Sequence, residues 1–252
     1  MFSNKTVLII GGSSGLGLSI AKGFSKEKAK VVIAGRSHKK LDKAKRNFTK
    51  SRISLQGTYC VDISLRDSVE KLRSSIINDL KKIDVVVCSA GIHLKTKSLE
   101  MHDNEWHAII NTNLTGTYYV NQIFGRVMVK QRSGSIINIA SLGARVALSD
   151  TLAYNVSKSG VEMLTKTLGC EWASKGVRVN AILPGVFKTP LNKRVLSEGE
   201  RARNILSCTP MHRFGKLEEI VSAALFLASD TSSFVTGTSI VVDGGFLAYA
   251  GF

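Results

Sequence analysis

The sequence predicts an α/β fold: a doubly wound, seven-stranded parallel sheet with helices on both faces. Three observations carry this. Short apolar runs of strand length alternate along the chain with stretches of helical periodicity, the order that builds parallel βαβ units. Runs such as IDVVVC and SIINIA are apolar at successive positions, as in strands buried on both faces. A glycine-rich turn, GGSSGLG, separates the first such run from the first helical stretch. At 252 residues the chain supports one large core, and two independent domains would be small. Residues 1–252 are therefore read as a single domain, without repeat, low-complexity tract or linker.

The first strand is TVLII at residues 6–10, and the first helix is LSIAKGFSKEKA, apolar at Leu18, Ala21 and Phe24. Between them, Gly11, Gly15 and Gly17 let the backbone turn tightly and approach a pyrophosphate at the helix N-terminus, and Ser13 and Ser14 add hydroxyl donors. Strand, glycine turn and helix in this order form a dinucleotide-binding fingerprint. The second strand, KVVIA at 30–34, leads into Gly35 and Arg36, with no acidic side chain before Asp42. A carboxylate at this strand end reads the adenosine ribose of NAD, whereas a guanidinium suits a 2′-phosphate. With Lys39 and Lys40 nearby, the segment predicts NADP(H) in preference to NAD(H).

A helix is expected over 38–50, a third strand over 53–61 ending at Asp62, and a helix over 65–81. The fourth strand, 83–88, runs into SAG at Ser89, Ala90 and Gly91. Residues 104–130 read as one long helix, 135–140 as the fifth strand and 151–175 as a helix. The sixth strand, 177–183, is stopped by Pro184 and Gly185. Residues 187–214 have weak periodicity and many charges and read as a mobile cover or loop-helix insertion. An amphipathic helix at 217–228 and a last strand at 238–242 complete the chain. Right-handed crossovers place ligands beyond the carboxyl ends of such strands. The glycine turn, Arg36, Asp62, Ala90, Gly91 and Ser141 all fall at those ends.

The catalytic signal lies between Ser141 and Lys158. Tyr154 and Lys158 are four residues apart, so on a helix they lie one turn apart on one face. A phenol with a pKa of about 10 is a poor acid or base at neutral pH, and a nearby ammonium is expected to lower it. Ser141, thirteen residues before Tyr154, ends the fifth strand, where its hydroxyl is placed to hold a substrate carbonyl beside the phenol. Proton transfer at an oxygen is implied, with hydride supplied from elsewhere.

The net charge of +16 admits nucleic acid, an anionic membrane, or anionic small molecules and acidic proteins as partners. No aromatic-basic interleaving or recognition-helix pattern accompanies it, so nucleic acid is not expected, and a generally basic solvated surface accounts for most of the charge. No run of about 18 apolar residues predicts a membrane span, and MFSNK passes directly into VLII without a leader. Cys60, Cys88, Cys170 and Cys208 are widely spaced, without CxxC. They are read as reduced, mostly buried thiols of a cytoplasmic protein, with no metal site.

Together, GGSSGLG, the Asp62 strand end, SAG, NTNLTG, Ser141, YNVSK, PGVFKT and the terminal VDGG resemble the classical short-chain dehydrogenase/reductase family over essentially the whole chain. The resemblance implies a single Rossmann domain, a homotetramer and NAD(P)-dependent carbonyl reduction or alcohol oxidation. It implies Tyr154 as the acid/base and Lys158 as the group that binds the nicotinamide ribose and lowers the Tyr154 pKa. Ser141 would orient the substrate oxygen, and Asn113 would hold a water in a proton relay. Gly11, Ser13, Ser14, Gly15, Leu16 and Gly17 would form the pyrophosphate turn, with Arg36 and Ser37 at the adenosine end. Asp62 and Ile63 would contact adenine, Ala90, Gly91, Pro184, Gly185 and Val186 the cofactor, and Thr189 the carboxamide. Two departures stand out: Ile10 where the family often has Thr, and CSAG where it usually has NNAG. Both mainly affect local hydrogen bonding.

The segments TPLN, PMHRFGK, FLAS and SFVTG look most like the gluconate 5-dehydrogenase and keto-sugar-acid reductase branch. His93, Lys95 and Arg145, with basic residues of the cover segment, are expected to line a mouth suited to a carboxylate. The alternatives are a 3-oxoacyl-(acyl-carrier-protein) reductase, whose acidic carrier would also meet a basic surface, and a catalytically idle NADP-binding sensor or regulator. The apolar tail FLAYAGF is expected to be buried between subunits.

Overall fold

A computed structural model describes residues 2–189, 196 and 199–249. Seven parallel strands form one sheet in the order β3-β2-β1-β4-β5-β6-β7. They are β1 (Thr6–Ile10), β2 (Lys30–Gly35), β3 (Gly57–Cys60), β4 (Val85–Cys88), β5 (Gly134–Ile139), β6 (Val177–Pro184) and β7 (Ser239–Val242). The helices are α1 (Gly15–Lys26), α2 (His38–Lys50), α3 (Arg66–Leu80), α4 (Asp103–Ile110), α5 (Gly116–Gln131), α6 (Leu152–Ala173), α7 (Gly199–Ser207) and α8 (Glu219–Ala228).

Consecutive side chains of a strand point to opposite faces, and β1 shows the result. Val7 and Ile9 pack with Phe24 of α1, Phe48 of α2 and Leu227 of α8. Leu8 and Ile10 pack with Leu72 of α3 and Phe124 of α5 on the other face. All five residues of β1 are buried, which explains the unbroken apolar run. β1 pairs with β2 on one side and β4 on the other. The strand order therefore reverses at β1, and a crevice opens beyond the carboxyl ends of β1 and β4.

The long helix expected over 104–130 is interrupted. α4 and α5 are joined by a π-helical turn, Asn111–Thr115. The Thr117 hydroxyl donates to the Asn113 carbonyl at 2.6 Å, and Gly116 is so close to Ile63 that a Cβ there would lie 2.7 Å from its Cγ1. The turn is a one-residue adjustment within a continuous helical pattern, which hydrophobic periodicity does not register. The third strand is shorter than expected, beginning at Gly57. The cover segment contributes α7, while 190–195 and 197–198 lie outside the described residues. Cys60, Cys170 and Cys208 are exposed and only Cys88 is buried, which corrects the expectation of mostly buried thiols. Among the described residues no helix is long and apolar enough to cross a membrane, and no group of three potential metal-ligating side chains occurs.

Candidate active site

A cleft of about 570 Å³ crosses the carboxyl edge of the sheet. The β1–α1 turn supplies Gly11, Ser13, Ser14, Gly15, Leu16 and Gly17 to its lining. Two of these glycines are required by close approach. Gly11 has φ +78°, and a Cβ there would lie 2.6 Å from the Ala90 nitrogen. A Cβ on Gly17 would lie 2.4 Å from the Gly11 carbonyl oxygen. The turn therefore presses on the end of β4 and opens the N-terminus of α1 to the cleft, an arrangement suited to a pyrophosphate.

The β2 end contributes Arg36 and Ser37, and Lys40 of α2 joins them. Arg36 is 55% exposed, with Asp62 at 4.0 Å, so its guanidinium is open to the cleft. Asp62 itself is not part of the lining, which is formed there by Val61 and Ile63. Its carboxylate accepts from the Ser64 nitrogen at 3.0 Å and from the Ser64 hydroxyl at 2.7 Å, so it shapes the loop. Ala90, Gly91, Pro184, Gly185 and Thr189 also line the cleft. Val186 instead lines a neighbouring cavity of about 340 Å³. Ile92, Thr112 and Phe187 also line the cleft; Thr112 and Phe187 lie inside the NTNLTG and PGVFKT segments, but sequence reasoning does not single them out there.

Ser141, Tyr154 and Lys158 meet on one wall of this cleft. Ser141 follows β5, and its oxygen accepts from the Gly143 nitrogen at 3.1 Å. α6 carries Tyr154 and Lys158 on one face. Lys158 is buried, and its Nζ donates to the Ile139 carbonyl at 2.8 Å and lies 5.8 Å from the Tyr154 ring centre. Burial lowers the Lys158 pKa to about 8. Burial also raises that of Tyr154, and a hydrogen bond with Ser141 opposes the rise. The expectation that Lys158 depresses the phenol is therefore not met in this structure, because desolvation of the phenolate dominates. Tyr154 is thus held in its neutral phenol form on the cleft wall.

Asn113 lies behind this wall, fully buried. Its Oδ1 accepts from the Ile92 nitrogen at 2.8 Å, and its Nδ2 donates to the Ile92 carbonyl at 2.9 Å and to the Ser157 hydroxyl at 3.2 Å. Both amide protons are thus spent, and the side chain braces the segment after SAG against α6. Cys88, one of the departures noted in CSAG, is buried with its Sγ 3.6 Å from the Thr117 hydroxyl.

The three residues expected at the substrate mouth behave differently from one another. His93 packs edge-on against Tyr154, ring centres 4.7 Å apart. Lys95 pairs with Asp150 at 3.1 Å. Arg145, like His93 and Lys95, is not among the residues that line the cleft, and it is held by Glu162 with contacts of 2.7 and 3.1 Å. Glu162 is a buried carboxylate that sequence reasoning missed. It also takes Lys166 at 3.6 Å and the Ser239 hydroxyl at 3.2 Å, and so ties the segment after Ser141 to α6 and β7.

Burial opposes ionisation of Glu162, but its hydrogen bonds with Arg145, the charges of Arg145 and Lys166, and the Ser239 hydroxyl outweigh it and hold the carboxyl below its usual range. A depressed carboxyl stabilises the fold above its unfolded-state pKa, and this contribution is lost as pH falls through the folded value. Glu162→Gln is expected to lower stability by about 1–3 kcal/mol at neutral pH, with the difference closing in acid. Thermal melts of both proteins across pH check this, and equal Tm values at neutral pH would remove the network from its structural role.

Comparison with known proteins places this geometry. A family model described as enoyl-(acyl carrier protein) reductase matches residues 11–247. Gluconate 5-dehydrogenase of Gluconobacter oxydans (strain 621H) is 33% identical over 243 residues, covering 96% of this chain and 94% of the relative. A 3-oxoacyl-(acyl-carrier-protein) reductase FabG of Thermotoga maritima is 37% identical over 245 residues, covering 96% and 97%. The crystal structure of a gluconate 5-dehydrogenase from Burkholderia cenocepacia J2315 in complex with NADP and tartrate superposes with a TM-score of 0.93 at 30% identity, covering 99% of this chain and 97% of that one. The chain belongs to the short-chain dehydrogenase/reductase family, a family of oxidoreductases. Its similarity is to gluconate 5-dehydrogenases and to carrier-protein ketoreductases alike.

Proposed function

We propose that this protein is an NADP(H)-dependent oxidoreductase that interconverts a ketone and a secondary alcohol on a sugar acid or similar small polar carbonyl compound. The observation that carries the reading is the convergence of Ser141, Tyr154 and Lys158 on one wall of a cleft that also holds the glycine turn and Arg36. The cleft fits a dinucleotide: Gly11 and Gly17, where a Cβ would strike the Ala90 nitrogen and the Gly11 carbonyl oxygen, let the glycine turn close up beside the cleft, and Arg36 and Lys40 offer cations to a 2′-phosphate. When bound, the nicotinamide supplies or accepts the hydride.

The chain's own groups do the rest. Ser141 donates a hydrogen bond to the carbonyl oxygen. Tyr154 gives that oxygen a proton as it gains negative charge, and takes the proton back in the oxidative direction. Lys158, charged below its pKa of about 8, lends positive potential that favours the phenolate left behind. Asn113 holds the Ile92 segment in register with α6.

A sugar-acid substrate is supported by the gluconate 5-dehydrogenase relative and by the neighbouring structure that holds tartrate. The carrier-protein ketoreductase similarity supports a second reading, reduction of a 3-oxoacyl thioester. NADPH consumption with 5-ketogluconate, fructuronate, fructose and an acetoacetyl thioester separates them. Turnover confined to the keto acids is expected. Turnover confined to the thioester moves the protein to the second reading, and none on any carbonyl leaves a cofactor-binding sensor.

We also read the protein as a cytoplasmic homotetramer. Tyr249 is 42% exposed on the single chain, and 250–252 lie outside the described residues. Phe234 and Leu99 are fully exposed and Met163 is 59% exposed, apolar surface that association removes from water. Light scattering is expected to give four times the 27.3 kDa chain mass, and a monomer would contradict it.

A further inference from the structure

The loop between β5 and α6 is pinned to α6 along one stripe of the helix. Ser159 and Glu162 lie four and seven residues after Asn155, so the three share a face, beside the stripe that carries Tyr154 and Lys158. The Ser159 hydroxyl donates to the Ala144 carbonyl at 3.0 Å, and Glu162 takes Arg145 at 2.7 Å. Asn155 holds the far end of the loop. Its Nδ2 donates to the Leu148 carbonyl at 3.0 Å, and its Oδ1 accepts from the Thr151 hydroxyl at 3.2 Å. The same amide lies directly against Gly143, where a Cβ would be 2.6 Å from Asn155 Oδ1. Gly143 in turn donates its N–H to the Ser141 oxygen at 3.1 Å. A serine hydroxyl has one proton and two lone pairs. With one lone pair held by Gly143, the proton of Ser141 is left for the Tyr154 phenol on the same cleft wall or for a substrate carbonyl.

We propose that Asn155 is a positioning residue for Ser141, acting through Gly143. By filling the space over Gly143 and fixing the loop, it holds the Gly143 N–H on the Ser141 oxygen and so aims the Ser141 proton at the substrate carbonyl. The inference rests on the carbonyl-reductase reading and deepens it by naming the residues that set its hydrogen-bond donor. Neither residue lines the cleft, so both act through Ser141. The glycine is not there for its backbone. Gly143 is not among the glycines with positive φ, so its conformation admits alanine, and the Asn155 amide is what excludes it. That amide is hydrogen-bonded at both ends and does not swing aside cheaply. A donor of this kind works within about 0.5 Å of its productive position. Ordinary contact with a Cβ begins at 3.4 Å, so an approach of 2.6 Å forces a larger shift than that.

The test is steady-state reduction of 5-ketogluconate or an acetoacetyl thioester, whichever wild type turns over. The variants are Gly143→Ala, Asn155→Ala and the two combined, each also made in a Ser141→Ala background, with NADPH affinity and Tm measured alongside. Gly143→Ala is expected to lower kcat by about a hundredfold, as loss of one oxyanion donor does, with NADPH affinity unchanged. Asn155→Ala, which frees the loop, is expected to lower kcat by about tenfold. The combined variant is expected to match Asn155→Ala, because the clash is gone. In the Ser141→Ala background each change is expected to cost no more than about threefold, since the group they position is absent. A merely structural role predicts neither the rescue nor the dependence on Ser141. Turnover of Gly143→Ala within a fewfold of wild type, no rescue by Asn155→Ala, or equal losses with and without Ser141 overturns the inference. If Gly143→Ala fails to fold, Asn155→Ala with and without Ser141 decides it. Wild-type turnover with additive losses shows that only the positioning role has failed. Absence of wild-type turnover on every carbonyl overturns the underlying reading, and the inference with it.

Discussion

Tyr154→Phe should lower kcat by about a hundredfold to ten-thousandfold, the usual range for loss of a general acid, while leaving NADPH binding largely unchanged. The variant removes one oxygen and keeps the ring that packs against His93. Without the phenol, the Ser141 hydroxyl still offers a hydrogen bond to the substrate oxygen, but no group on that wall delivers a proton. Lys158 lies deeper, buried with its Nζ on the Ile139 carbonyl at 2.8 Å. Steady-state kinetics paired with NADPH fluorescence titration separates chemistry from binding. Turnover within a fewfold of wild type would take the proton-donor role from Tyr154. The rate of reduction should also decline as pH rises through about 8, where Lys158 loses its charge.

Arg36→Asp should shift the ratio of kcat/KM for NADPH to that for NADH by about a hundredfold towards NADH. Removing a charge-assisted hydrogen bond costs about 1.5–3 kcal/mol, and a carboxylate in its place adds repulsion of the 2′-phosphate. Solvent limits the effect, since Arg36 is 55% exposed and salt screens such sites. Lys40, on the same stretch of the cleft, keeps one cation in place. The two ratios measured at fixed ionic strength check the prediction. An unchanged ratio would mean that the phosphate is read elsewhere.

The sequence exposes what short-range physics controls. β1 and α2 run over the residues expected, 6–10 and 38–50, because an unbroken apolar run and a strong amphipathic period each leave little choice. The glycine turn is legible for a similar reason, since strand, turn and helix each carry a local signature. Contacts made by the fold are not. Arg145 and Glu162 are 17 residues apart, and nothing in either neighbourhood shows that they meet. Arg145 therefore reads as a free cation in the sequence and is a tether in the structure. The π-helical turn at Asn111–Thr115 is hidden inside one helical pattern. The Tyr154 and Lys158 pair shows a third limit. Spacing places the two groups on one face, but burial sets their proton affinities, and burial belongs to the whole fold.

The most direct test of the central claim is to follow deuterium from NADPH labelled at the reactive carbon of its nicotinamide into the product of a keto-acid substrate. The account predicts a secondary alcohol carrying one deuterium at the new carbinol carbon, formed by wild type and essentially not by Tyr154→Phe. Cofactor binding without label in any product, or labelled product formed equally well by Tyr154→Phe, would contradict it.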